Sequence, residues 1–426
     1  MKKSLLALAA LGAFAGTVHA QSSVTVYGIL DLGYLATRGT QGGASSAGTA
    51  LTTAGTTNGG TLNTSSFNQS NLATSRLGFR GVEDLGGGLS ANFVAEIGLT
   101  PNSNSFSGST NSRSTPLGTT YAYNATSIDN RQSFVGLSNK GLGTVRIGRQ
   151  YTPVHEVLCA NNAGQCNAIA GDVIYSGANS SDTLSPFNKL DDSYQVRASN
   201  AVTVRTENIG GFTAAALYSA SLRSNENAGA VAASQGATDR RMWGANLAFT
   251  GVKNLNISGA WQQSAMRRDN AVATDAANVA IGGTLYSLTP GVQAAVDLKQ
   301  SDVFGNISYD FGVVKLALQT VSLKVTTASV ETLKKNANQL SVTAPVSKTI
   351  NAWASYGQGK RTLPTNTTTI VGDKKFTGFQ LGSTYDLSKR SSLYAIYGQN
   401  YQEKNAAALG SDWKDVQYSV GVKHSF

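Results

Sequence analysis

Two cysteines, Cys159 and Cys166, lie in one polar stretch with six residues between them, and the chain has no others. Two chemistries suit that spacing. A disulfide would close a small loop in an oxidising compartment. A metal site is the alternative, with His155 four residues before the pair. Two Cys and one His are too few for a structural zinc site without help. The chain holds three histidines, His19, His155 and His424. No Ser-His-acid grouping, Gly-x-Ser-x-Gly elbow or metal cluster accompanies them. The sequence therefore excludes an enzyme of those types and calls for no cofactor and no metal.

Lys2 and Lys3 precede an apolar stretch from Leu5 to Val18, which ends in Thr-Val-His-Ala. A positive start, a short apolar run and a small-residue cleavage site make residues 1–20 a secretory signal peptide, with Gln21 as the mature start and 21–426 as one domain. Export takes the chain to an oxidising compartment, which favours the disulfide reading. The mature chain keeps 32 Lys and Arg against 24 Asp and Glu, a net +8. These charges are scattered rather than striped, so nucleic acid is not an expected partner.

The elements that must position such residues are strands. Charged residues make up 14%, against roughly 25% in ordinary soluble domains. After residue 20 no run reaches the ~18 apolar residues of a spanning helix. In the last segment, Val416, Tyr418, Val420, Val422, His424 and Phe426 share one parity, and Asp415, Gln417, Ser419, Gly421, Lys423 and Ser425 the other. Period two puts these sets on opposite faces of a sheet, one suited to lipid and one to water. The same alternation recurs at 24–34, 76–80, 92–99, 212–218, 243–249, 255–261, 303–311 and 379–386.

Seven short turns are expected near 83–88, 139–143, 207–211, 251–254, 311–313, 344–347 and 386–391. Eight connections, mostly longer and polar, are expected at 38–70, 100–129, 152–192, 222–238, 267–298, 326–336, 358–373 and 403–413. Short and long alternate, and fifteen connections join sixteen strands. Tight turns at one end and long loops at the other are the mark of a transmembrane barrel, whose antiparallel closure satisfies every backbone group in lipid. The fold class is all-β: a 16-stranded antiparallel transmembrane β-barrel, wide enough to leave an aqueous lumen.

Five segments carry a resemblance. They are Ser23-Val-Thr-Val-Tyr-Gly28, Ser75-Arg-Leu-Gly-Phe-Arg-Gly-Val-Glu-Asp-Leu-Gly-Gly-Gly88, Asn130-Arg-Gln-Ser-Phe-Val-Gly-Leu137, Gly143-Thr-Val-Arg-Ile-Gly-Arg-Gln150 and Tyr418-Ser-Val-Gly-Val-Lys-His-Ser-Phe426. In these the chain resembles the general porins of Gram-negative bacteria, closest to the β-proteobacterial branch, over the whole mature length. The resemblance implies a homotrimer in the outer membrane, in contact with the lipid bilayer and lipopolysaccharide. Each barrel would be a passive pore for small hydrophilic solutes and ions, with the third long loop folded inward to narrow it. Phe426 resembles the signal read by the outer-membrane assembly machinery.

The resemblance also implies a basic constriction wall of Arg76, Arg149 and Arg197. Parity supports Arg76, opposite Leu77 and Phe79, and Arg197, opposite Val202 and Val204. Arg149 shares parity with Val145 and Ile147, so it needs a bulge at Gly148 to face inward. Arg80 and Arg205 are further lumen residues, and Arg131 reads either way. An arginine on the lipid face would cost about 2–4 kcal/mol at the midplane. Opposing acids are expected on 152–192, with Asp172 and Asp182 central, although the family's Pro-Glu-Phe-Gly-Gly run is absent. With a +8 chain the pore is expected to prefer anions. A channel specific for sugars or organic acids is the alternative, for which Tyr27, Tyr121, Tyr123, Tyr151 and Tyr175 could form an aromatic track.

Overall fold

The computed structural model describes residues 23–41, 60–103, 106–107, 128–175, 194–223, 238–271, 278–281, 284–287, 294–327, 329–363, 372–403 and 412–426. The expected signal peptide 1–20, the expected mature start at Gln21, and Asp182 lie outside them.

Among the described residues nineteen strands are formed: β1 (Ser23–Gln41), β2 (Gly60–Gln69), β3 (Arg76–Gly86), β4 (Leu89–Gly98), β5 (Asn130–Asn139), β6 (Gly143–Tyr151), β7 (Arg197–Thr206), β8 (Phe212–Arg223), β9 (Thr238–Phe249), β10 (Leu255–Ala271), β11 (Asn278–Ile281), β12 (Thr284–Ser287), β13 (Ala294–Asp310), β14 (Lys315–Thr327), β15 (Val330–Pro345), β16 (Ile350–Leu363), β17 (Gly372–Asp386), β18 (Ser391–Gln402) and β19 (Trp413–Ser425). β11 and β12 are a hairpin of their own. The other seventeen form one antiparallel sheet that closes on itself where β1 pairs with β19, Ile29 opposite Ser425 through Gln41 opposite Trp413. β2 and β3 pair with successive halves of β1, so together they are one interrupted stave. The barrel therefore has sixteen staves, and closure leaves no free edge.

Alternation decides which face each side chain takes. Val24, Val26, Val135, Leu137, Ile147, Leu318, Val420 and Val422 stand exposed on the outer surface. Asp31, Glu96, Gln262, Gln319, Gln339, Gln380 and Gln417 are buried on the inner one. The seven expected short turns are all present. Asn254, Gly141, Gly210 and Gly312 supply the positive φ that these tight reversals need. At the C-terminus, the Phe426 amide donates to Gly28 O and the Gly28 amide to Phe426 O, both at 3.1 Å. The Phe426 ring covers Gly28, where any Cβ would collide with it.

One expected long connection is corrected. Residues 326–336 read as a polar loop, yet β14 runs to Thr327 and β15 starts at Val330, leaving a two-residue connection in which Ser329 has φ +67°. Polar composition misleads here because the sheet continues past the apolar band, where outward polar side chains cost nothing. Lys324 and Glu331 pair across it at 2.9 Å. The strict short–long alternation fails at this point, while the stave count stands.

Inside the barrel, Thr152 caps a helix, α1 (Pro153–Asn161), accepting from the His155 amide at 3.3 Å, with Pro153 at the first position. Val154, Val157 and Leu158 pack with Val173, Ile174, Phe304, Val321 and Phe376. That stretch of inner wall is apolar because the 152–175 segment covers it. Burying one such side chain is worth about 1.5–3 kcal/mol.

Candidate functional site: the arginine wall and the strap facing it

Four strands, β3, β5, β6 and β7, carry arginines on their inner face. Arg131 is buried, its Nε donating to Glu96 Oε1 at 2.7 Å and its Nη2 to Tyr151 Oη at 2.8 Å. It faces inward because the β4–β5 register shifts between Glu96–Gln132 and Ile97–Asn130, leaving Arg131 as the extra residue of a bulge. That settles the ambiguity of its strand. Arg76 is half-exposed, with Nη1 4.0 Å from Glu96 Oε2, and Tyr27 donates to the same oxygen at 3.1 Å.

Arg149 also faces inward by a bulge. The β6–β7 register shifts between Gly148 and Gln150, and Gly148 has φ +134°, a conformation that disfavours any side chain. Arg149 Nε donates to Asn130 O at 2.6 Å and Nη1 to Ser199 Oγ at 2.7 Å. Arg197 is buried with its guanidinium 5.1 Å from the Tyr151 ring centre. Arg205 pairs with Glu156 of α1. Arg80 is exposed beside Tyr27.

Parity reasoning passed over Glu96. It is the acid of the wall, and its signal was present: an acidic residue at inward parity on the strand beside Arg76. Against it stand Arg76, Arg80, Arg131, Arg149, Arg197 and Arg205, together with Arg146, whose side chain lies over Phe134. Closely spaced fixed charges on one wall of a lumen are poorly screened from one another, so the wall presents a positive field.

The strap opposite is held by amides. Ala170 N donates to Gln417 Oε1 at 2.9 Å, Gly171 N to Asn400 Oδ1 at 3.0 Å and Val173 N to Gln339 Oε1 at 3.0 Å. Gln380 Nε2 donates to Ile169 O and Ala170 O at 3.1 and 3.0 Å. Four strands thus hold the backbone of 169–173 much as a neighbouring strand would. Close approach needs glycine: a Cβ on Gly398 would lie 1.8 Å from Ala170 O. Gly398→Val is expected to push the strap off the wall and change single-channel conductance. A conductance equal to the parent's would contradict this packing.

Asp172 is buried within the strap. Its carboxylate accepts from the Ile174 and Tyr175 amides at 2.9 and 2.8 Å and from the Asn162 side chain, so its charge is turned into the turn it builds. Cys159 and Cys166 form a disulfide. His155 lies beside it, with Nδ1 3.0 Å from Tyr194 Oη. Iodoacetamide is expected to add no mass to the denatured, unreduced protein, and two labels after reduction.

A closed barrel with a polar lumen, a positive wall and a strap across it defines a channel of the outer membrane. The chain belongs to the Gram-negative porin family, whose model matches residues 7–405. Such proteins are channels, not enzymes. An outer membrane porin protein of Bordetella pertussis is 29% identical, with all of both chains aligned. Among solved structures, an anion-selective porin from Comamonas acidovorans matches at TM-score 0.61 and 22% identity, covering 95% of this chain and 100% of its own. The trimer form of OmpT from Vibrio cholerae matches at TM-score 0.56 and 14% identity, covering 95% and 99%. Both share the fold.

Proposed function

We propose that the protein, exported by residues 1–20 and folded as one domain over 21–426, assembles as a homotrimer of water-filled pores that prefer small anions. The observation that carries this is the imbalance across the lumen. Seven arginines line β3, β5, β6 and β7, whereas the described part of the strap offers Glu156, already engaged by Arg205, and Asp172, already engaged by its own turn. Solute ions therefore pass a wall whose positive charge is only partly compensated. The anion-selective porin of Comamonas acidovorans and the trimer form of OmpT from Vibrio cholerae share this fold and support the same reading. Arg76, Arg149 and Arg197 form the narrow part of the wall. Asp182 is proposed as an opposing acid. Phe426 is proposed to be read by the assembly machinery, with lipopolysaccharide bounding the outer leaflet.

Zero-current potentials across a KCl gradient test the preference. The sign for chloride over potassium is expected, and the opposite sign would end this reading. Conductance lost in steps of three is expected for the trimer, and independent single steps would speak against it.

A further inference from the structure

Two inner-wall arginines stand apart from the Glu96 network. The guanidinium of Arg80 lies 5.3 Å from the Tyr27 ring centre, and that of Arg146 4.9 Å from Phe134. Neither makes an ion pair among the described residues. Glu156, close enough for its charge to reach Arg146, is engaged by Arg205. An aromatic face holds a guanidinium by its quadrupole without neutralising it, and leaves the planar N–H fork for another partner. Around Arg131, by contrast, the fork is spent on Glu96 and Tyr151.

Both residues lie below the constriction. Arg80 is four residues past Arg76 toward the turn at 87–88, and Arg146 three residues into β6 from Gly143. The short-turn end of such a barrel is periplasmic. Arg80 and Arg146 line one concavity of about 460 Å³, shared with Thr25, Asn92, Ser138, Val94 and Phe134. Val94 and Phe134 are register partners on β4 and β5, between β3, which carries Arg80, and β6, which carries Arg146. The floor is therefore apolar in the middle and cationic at two ends.

We propose that this concavity is a second anion site, on the periplasmic side of the constriction, for organic dianions with a short apolar middle. One charged group meets Arg80, the other Arg146, and the carbon chain lies over Val94 and Phe134. The site rests on the anion-preferring reading of the pore and adds a solute class to it: a two-headed anion leaving the constriction is held once more before release.

Chloride current through the purified porin in planar bilayers, titrated with succinate and separately with acetate, tests it. Succinate is expected to give a saturable block that acetate does not match. The double variant R80Q/R146Q is expected to weaken that block at least tenfold while its KCl zero-current potential keeps the anion sign. An unchanged block in the double variant, or an equal block by acetate, would overturn the site. If the double variant does not fold, R80K and R146K keep the charge but lose the fork, and each is expected to weaken the block. Parental block in both would overturn the site as well. A wild-type pore with the cation sign in KCl would overturn the underlying reading and the site with it, a result distinct from loss of block alone.

Discussion

Replacing Arg76, Arg149 and Arg197 together with glutamine is expected to remove the preference for anions. An ion passing about 8 Å from one guanidinium, in a medium of effective dielectric about 20, gains about 2 kcal/mol. Salt at 0.15 M screens part of that over its ~8 Å Debye length. Losing three such charges should lower the chloride-to-potassium permeability ratio by about tenfold or more, since 1.4 kcal/mol is a factor of ten. The zero-current potential in a KCl gradient reads the ratio directly. Glu96→Gln supplies the sign control. It removes the acid that compensates Arg131 and Arg76, so the ratio should rise. A triple variant with the parental ratio would show that these guanidinia do not face the ion path. Because Arg149 satisfies Asn130 O and Ser199, the comparison needs a heat-modifiable band confirming that the variant barrel is folded.

Asp31→Ala is expected to be the most destabilising single change in the inner wall. Asp31 is fully buried on β1, opposite the break between β2 and β3. Its carboxyl accepts from the Leu72 and Ala73 amides at 2.8 and 2.6 Å and from Tyr394 Oη at 2.6 Å. Alanine would strand three donors, two of them buried and one half-buried, each buried one costing about 1–3 kcal/mol, so a loss of about 4 kcal/mol is expected, large for one residue. Asp31→Asn keeps an acceptor and should cost less, and Tyr394→Phe, which removes one bond, least. Temperatures of band-shift from folded to unfolded barrel should follow that order. The consequence reaches the lumen, because the folded break holds the strap: Ala168 N donates to Asn71 O at 2.8 Å, and Leu72 packs with Ile169. Gln380→Leu attacks the strap from the other side, removing donors to Ile169 O and Ala170 O. It is expected to raise open-channel noise without changing the band-shift temperature as much as Asp31→Ala.

How far the site was legible can be followed residue by residue. Arg76 could be placed from Leu77 and Phe79 alone, because period two is local and an arginine in lipid is expensive. Arg149 and Arg131 could not be placed with equal security. Each turns inward through a bulge, and a bulge belongs to the pairing of two strands rather than to either one. Gly148 hinted at the first; nothing local hinted at the second. The expectation that Asp172 opposes the arginines rested on its charge and its central position, whereas the fold spends that charge on the Ile174 and Tyr175 amides.

By itself the sequence determined the barrel. Alternation, the seven tight turns and the absence of a long apolar helix leave an antiparallel transmembrane sheet, because lipid demands that every backbone group be paired within the protein. It also determined the outer face; the seam, with Phe426 paired to Gly28, came only with the fold. Only the tertiary structure decided the lumen. Phe304, Val321 and Phe376 point inward against the polar-in pattern, since α1 and 169–174 cover them, and Gln339, Gln380, Asn400 and Gln417 hold that strap from strands distant in the chain. Glu96 became the wall's acid through contact with Arg131. These are long-range pairings, and side-chain periodicity carries no record of which distant residue will supply the partner.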